Sequence, residues 1–113
     1  MDREVILAAL LHEMRRGTLV MCVLAKLRRS TYGYNLIAQL AGTGISIEAN
    51  TLYPLLRRLE DQNLLASAWN TTDGANPRKY YITTAFGEEI LTELCGHWQK
   101  TVDGMKNILE EKR

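Results

Sequence analysis

The side chains of this sequence best suited to recognition chemistry are Asn50, Thr51, Tyr53, Arg57 and Arg58, grouped in one short stretch. Amide, hydroxyl and guanidinium groups together supply the donors and acceptors that phosphate oxygens and base edges require. Interleaved with them, Leu52, Leu55, Leu56 and Leu59 fall at i, i+3, i+4 and i+7, so residues 46–63 form an amphipathic helix with the polar group on its outer face. A surface helix whose polar side is merely solvated shows the same pattern, so the flanking elements must decide between the two.

Residue types that carry catalysis are scarce and scattered. His12 and His97 are the only histidines and lie on different predicted helices. Glu93 and His97 stand at i, i+4, a spacing that ordinarily makes a surface hydrogen bond, and with Cys95 directed elsewhere no zinc ligand set emerges. No phosphate-binding glycine loop and no nucleophile elbow is present. The expectation is a protein that is not an enzyme and uses neither cofactor nor metal.

At 113 residues, with 46% apolar and 24% charged residues, the chain is expected to build one hydrophobic core and to be globular. The longest apolar run, Val5 to Leu11, is too short for a bilayer and lacks a small-x-small cleavage site behind it. The two cysteines, Cys22 and Cys95, form no CxxC and are expected to be reduced packing residues. A cytoplasmic protein is expected. Net charge is only +1, but nine basic residues face four acidic ones between Met14 and Lys79, with both ends acidic. A basic middle of this kind raises the local potential for a polyanionic partner.

The elements that must position the recognition stretch can be read in order. A first helix is predicted over residues 3–14, apolar around much of its circumference and therefore in need of partners on several sides, a second subunit among them. Gly17 weakens the run, and Thr18 is predicted to cap a second helix reaching Arg29, where Lys26, Arg28 and Arg29 favour the helix dipole. Ser30 or Thr31 is predicted to cap a third helix over Tyr32–Ala41, ended by Gly42-Thr43-Gly44. This short helix and the recognition stretch make a helix-turn-helix. Leu64–Asn70 and Arg78–Thr83 read as two strands around the polar turn Thr71–Pro77, a wing with Arg78 and Lys79 at its base. Charges at that place serve equally to guard a sheet edge. Thr84 then caps a last helix whose Leu91, Leu94, Trp98, Val102, Met105, Ile108 and Leu109 form a sustained heptad stripe, a dimerisation element.

The segments Tyr32-Gly33-Tyr34 with Leu36, Thr51-Leu-Tyr-Pro-Leu-Leu-Arg-Arg-Leu-Glu60, Trp69, Pro77-Arg-Lys-Tyr-Tyr81, and Thr84 with Gly87 resemble the PadR family of bacterial transcriptional regulators over about residues 17–91. The short tail is similar to the small members with a single C-terminal helix. The resemblance implies a mainly α fold with a small β-hairpin: a winged helix-turn-helix over residues 1–84 plus a dimerisation helix over residues 85–113, the terminal helices of two subunits interlocking. It implies a dimeric repressor. Asn50 stands where the family most often has glycine, Asn63 replaces a usual glycine, and Thr83 a common leucine; of these, Asn50 bears on operator preference.

On this reading DNA affinity comes mainly from phosphate contacts and falls steeply with salt. These contacts are assigned to Arg78, Lys79, Arg57 and Arg58, with Thr31 and Tyr34 as hydroxyl donors. Base reading falls to Asn50, suited to adenine, and to Thr51 and Tyr53; Tyr53 is alternatively a spacer against the wing. A two-fold dimer predicts a roughly palindromic operator on double-stranded DNA. In some small PadR-like proteins a tryptophan at a similar place on this helix faces its symmetry mate across a central pore where flat aromatic compounds stack. If Trp98 matches it, the resemblance implies an aromatic-sensing repressor; otherwise Trp98 only fills the interface. The competing function is a winged helix used solely for protein–protein docking.

Overall fold

A computed structural model describes residues 1–71 and 76–111 of the chain. The centre of the expected wing turn, residues 72–75, lies outside the described residues. Helix α1 spans Arg3–Lys26, opened by Asp2, whose carboxylate accepts from the Glu4 amide at 3.2 Å. The expected break at Gly17 does not occur. Thr18 caps nothing; its hydroxyl donates to the Arg15 carbonyl at 3.1 Å, inside the helix. One glycine costs about 1 kcal/mol, less than the burial of Leu19, Val23 and Leu24 on the following turns contributes.

The chain then forms a short strand, β1 (Thr31–Tyr32), where a helix cap was expected. Helix α2 (Gly33–Gly42) and helix α3 (Ala49–Asp61) follow, then strands β2 (Leu65–Asn70) and β3 (Arg78–Thr83) and helix α4 (Ala85–Leu109). The sheet is antiparallel, ordered β1-β3-β2. The wing is thus a hairpin extended by a third strand, because Thr31 and Tyr32 pair with Tyr81 and Tyr80.

Two helix ends are closed in the same way. After α2, the Ile45 amide reaches the Leu40 carbonyl and that of Gly44 the Ala41 carbonyl, with Gly44 at φ 89°. After α3, the Leu64 amide reaches Leu59 and that of Asn63 reaches Glu60, with Asn63 at φ 62°. Both are Schellman closures, and asparagine serves at the second because its short amide tolerates the left-handed region. Thr84 opens α4: its hydroxyl oxygen accepts from the Gly87 amide at 2.9 Å and donates to the Asn63 carbonyl at 2.7 Å. Thr83, where the family commonly has leucine, donates its hydroxyl to the Leu24 carbonyl at 2.7 Å and ties β3 to α1.

The core is almost entirely leucine. Val23, Leu24 and Leu27 of α1 meet Leu36 and Leu40 of α2, Leu52, Leu56 and Leu59 of α3, and Leu91 of α4. Leu91 is 1% exposed, which corrects its place in the expected dimer stripe: it belongs to the chain's own core. Beyond it Leu94 is half-buried, while Trp98, Val102, Met105, Ile108 and Leu109 remain exposed. Val5, Ile6, Leu10 and Met14 on the N-terminal half of α1 are exposed as well. Cys22 is half-buried and Cys95 is exposed, so only the first is the expected packing residue. The radius of gyration is 16.8 Å, against about 13 Å for a compact chain of roughly this size. The long helices α1 and α4, packed on each other, account for the difference. Among the described residues no helix is long and apolar enough to cross a membrane.

Candidate nucleic-acid interface

Helix α3 is held by Leu52, Leu55, Leu56 and Leu59, all buried, and presents Asn50, Thr51, Arg57 and Arg58 to solvent. Pro54 lies inside the helix, where its missing N–H leaves the Asn50 carbonyl without the usual partner one turn on. Glu48 occupies the N-cap without a side-chain bond to the first turn.

Tyr53, expected as a base reader or a spacer against the wing, is half-buried. Its phenol packs over Gly33 at the start of α2, where a Cβ would overlap the ring, and it meets Tyr34 edge-on, with centroids 6.1 Å apart. Burial first, then Tyr34 and Tyr81, pushes its hydroxyl above the ordinary value. The phenol therefore stays protonated and able to donate. Tyr34 is 69% exposed. These tyrosines, with Trp69, Pro77 and Arg78, surround a cleft of about 460 Å³ between the helix pair and the wing. Trp69, 65% exposed on β2, was not among the expected site residues. Trp69 shares a side of β2 with the buried Leu65, and it is exposed because the strand runs outward past the core.

The three remaining expected phosphate contacts separate. Arg78 is exposed and its guanidinium lies over the Tyr32 ring at 4.4 Å, a cation–π seat that orients the fork without neutralising it. Lys79, its neighbour, also lines the cleft, but its ammonium is turned to α3 and donates to Glu60 at 3.2 Å. Glu60 also accepts from Ser67. The Ser67 bond, aided by Lys79 and opposed by burial, holds the Glu60 carboxyl below its ordinary value. Lys79 is correspondingly raised, chiefly by Glu60. This group locks the C-terminal turn of α3 to both wing strands, so the structure gives Lys79 a role in setting the wing's position. Thr31 is 5% exposed and its hydroxyl oxygen accepts from the Asn35 amide at 2.7 Å. That burial removes it from the outer surface expected of a phosphate donor. No periodicity links Glu60, Ser67 and Lys79; only the register of Ser67 opposite Tyr81 and Trp69 opposite Lys79 brings them together.

Trp98 stands away from this surface. It lines a groove of about 700 Å³ between α1 and α4 with Met14, Thr18, Val102, Met105 and Leu109. The groove is mostly apolar, with Lys106 and Glu110 at its edge. Among the described residues no three histidine, cysteine or acidic side chains are grouped to hold a metal ion.

Residues 20–93 match the transcriptional regulator PadR-like family. A crystal structure of a PadR family transcriptional regulator from Eggerthella lenta is similar at 50% identity and a TM-score of 0.90, covering 96% of each chain. A PadR-like transcriptional regulator from Bacillus cereus is similar at 28% identity and a TM-score of 0.77, over 88% of this chain and 99% of that one. An uncharacterized protein from Lysinibacillus sphaericus is 29% identical over 87 residues, 74% of this chain and 80% of its own.

Proposed function

Because the chain belongs to the PadR-like family of transcriptional regulators, we propose that it is a dimeric, sequence-specific repressor that grips duplex DNA with α3 and the wing and is released by a small-molecule effector. The observation that carries the DNA reading is the exposed first turn of α3 beside the aromatic cleft that Arg78 borders. A helix of roughly 10 Å diameter fits the major groove of about 12 Å, and a wing beside it meets the flanking backbone. Phosphate contacts fall to Arg57, Arg58, Arg78 and the Tyr34 hydroxyl. Lys79 acts indirectly, through Glu60.

Asn50 and Thr51 are the base readers, with Asn50 set to bond adenine through its amide. Recovery of genomic fragments by the purified protein, followed by sequencing, tests the DNA reading; a protein that retains no fragment at low salt is a docking module instead. On a recovered site, Asn50→Ala is expected to lower discrimination at one position by about 1–3 kcal/mol while leaving non-specific binding unchanged. Parallel titrations of matched and single-substituted duplexes measure it.

A second copy of the chain covers the exposed apolar faces of α1 and α4, which are too extensive for an isolated soluble subunit. The effector is a flat aromatic compound stacked against Trp98 in the groove between those helices. Calorimetric titration with a planar cationic dye is expected to show binding by the wild type and a loss of tenfold or more in Trp98→Ala. Equal binding by the two proteins would reduce Trp98 to a packing residue.

A further inference from the structure

His12, Arg15 and Leu19 fall at i, i+3 and i+7 and share a face of α1. Leu19 is buried in the core, so one turn back the same face carries Arg15 out over the segment leading into α3. A cavity of about 260 Å³ opens there, with His12 and Arg15 on one wall and Ser46, Glu48 and Thr51 on the other. Leu19 and Ile47 form its apolar floor, while the polar side chains around it are exposed. Two other cations of the basic middle are engaged within the chain, Arg28 by Glu88 and Lys79 by Glu60. Arg15 makes no ion pair among the described residues.

The position of this cavity relative to the wing matters. Thr51 and Tyr53 are two residues apart on α3, so they point about 200° apart around its axis. Tyr53 faces the wing cleft and Thr51 the α1 cavity. A recognition helix nearly fills the width of the major groove, so a phosphate backbone runs along each of its flanks. The wing meets one of them. We infer that the cavity beside Thr51 seats a phosphate of the other strand, with Arg15 as its cation and the Ser46 hydroxyl as a donor. Arg15 is thereby a DNA-contacting residue of α1, outside the helix-turn-helix and wing. The inference rests on the DNA reading proposed above. Glu48 is the carboxylate on the same rim, and its charge opposes a phosphate there. Its removal therefore strengthens binding where the removal of Arg15 weakens it.

The test is the salt dependence of binding to a genomic duplex recovered by the wild-type protein. Arg15→Ala is expected to make the slope of log K against log salt shallower by about 0.9 for each Arg15 engaged, about 1.8 for a symmetric dimer. The affinity ratio between 50 and 200 mM salt then narrows by about tenfold. Arg16→Ala removes the same charge at the next, exposed position outside the cavity and is expected to leave the slope unchanged. Glu48→Gln is expected to tighten binding to matched and mismatched duplexes alike. Equal slopes for wild type and Arg15→Ala, equal losses in the Arg15 and Arg16 variants, or a change of oligomeric state in Arg15→Ala would each overturn the inference while leaving the DNA reading intact. Failure of the wild type to recover any duplex would overturn both.

Discussion

Leu56→Ala is expected to remove about 3–5 kcal/mol of stability, the largest loss among the substitutions considered. Leu56 is fully buried at the centre of α3 and lies in the cluster that joins α1, α2 and α4. Truncation deletes most of its apolar surface and leaves a cavity that neighbouring leucines on rigid helices fill only in part. Domains of this size have about 5–15 kcal/mol in total, so the variant approaches the threshold of folding. At fixed protein concentration, which matters if the chain dimerises as proposed, the urea midpoint is expected to fall by about 2 M. Arg58→Ala, on the exposed face two residues on, is expected to stay within about 0.5 kcal/mol of wild type. An equal midpoint for the Leu56 variant would mean that α3 is not anchored as described.

Gly87→Ala is the second large effect, and its sign is opposite to that of the usual helix substitution. Gly87 is buried in the first turn of α4, and a Cβ there would overlap the Leu64 carbonyl and come within 2.8 Å of the Thr83 methyl. The carbonyl cannot give way easily, since it accepts from the Thr84 amide at 3.1 Å. Relief requires α4 to shift, which also loosens the Thr84 cap, itself worth about 1 kcal/mol. A net loss of roughly 2–3 kcal/mol is expected, with a melting temperature lower by about 10 °C. Gly96, on the same helix, has nothing within 4 Å of an added Cβ. There alanine is expected to stabilise by about 0.5–1 kcal/mol. Thermal melts of the two variants side by side check the contrast; stabilisation by Gly87→Ala would show that α4 does not pack against the end of α3 as described. In a dimer joined through α4, a shift at Gly87 would also change the distance between recognition helices, so operator affinity is expected to fall further than stability alone accounts for.

The amphipathic stretch around Leu52–Leu59, the strand Arg78–Thr83, the cap at Thr84 and the left-handed Asn63 were all legible in the sequence. Each is decided by neighbours within a turn or two: a hydrophobic period, a β-branched and aromatic run, a hydroxyl before a helix, an amide that tolerates positive φ. The family was legible too, because the Thr51–Glu60 run is specific. The continuity of α1 through Gly17 was not legible, for the complementary reason. Local propensity disfavoured glycine there, and packing on the turns either side of it outweighed that preference.

Other features depended on which surfaces meet. Leu91 and Met105 lie on one heptad line, yet the first is buried in the chain's own core and the second is exposed, because α4 runs past the end of the leucine cluster. Arg78 and Lys79 are adjacent cations with the same sequence signature. Alternation along β3 sends one out over Tyr32 and the other in to Glu60. Thr31 became a buried strand residue only because β3 was there to pair with it. For α3, the sequence alone settled which face is leucine and which is polar. The tertiary structure decided that one flank of that polar face borders the wing and the other borders α1, because burial and strand register depend on elements far apart in the chain, which no local period encodes.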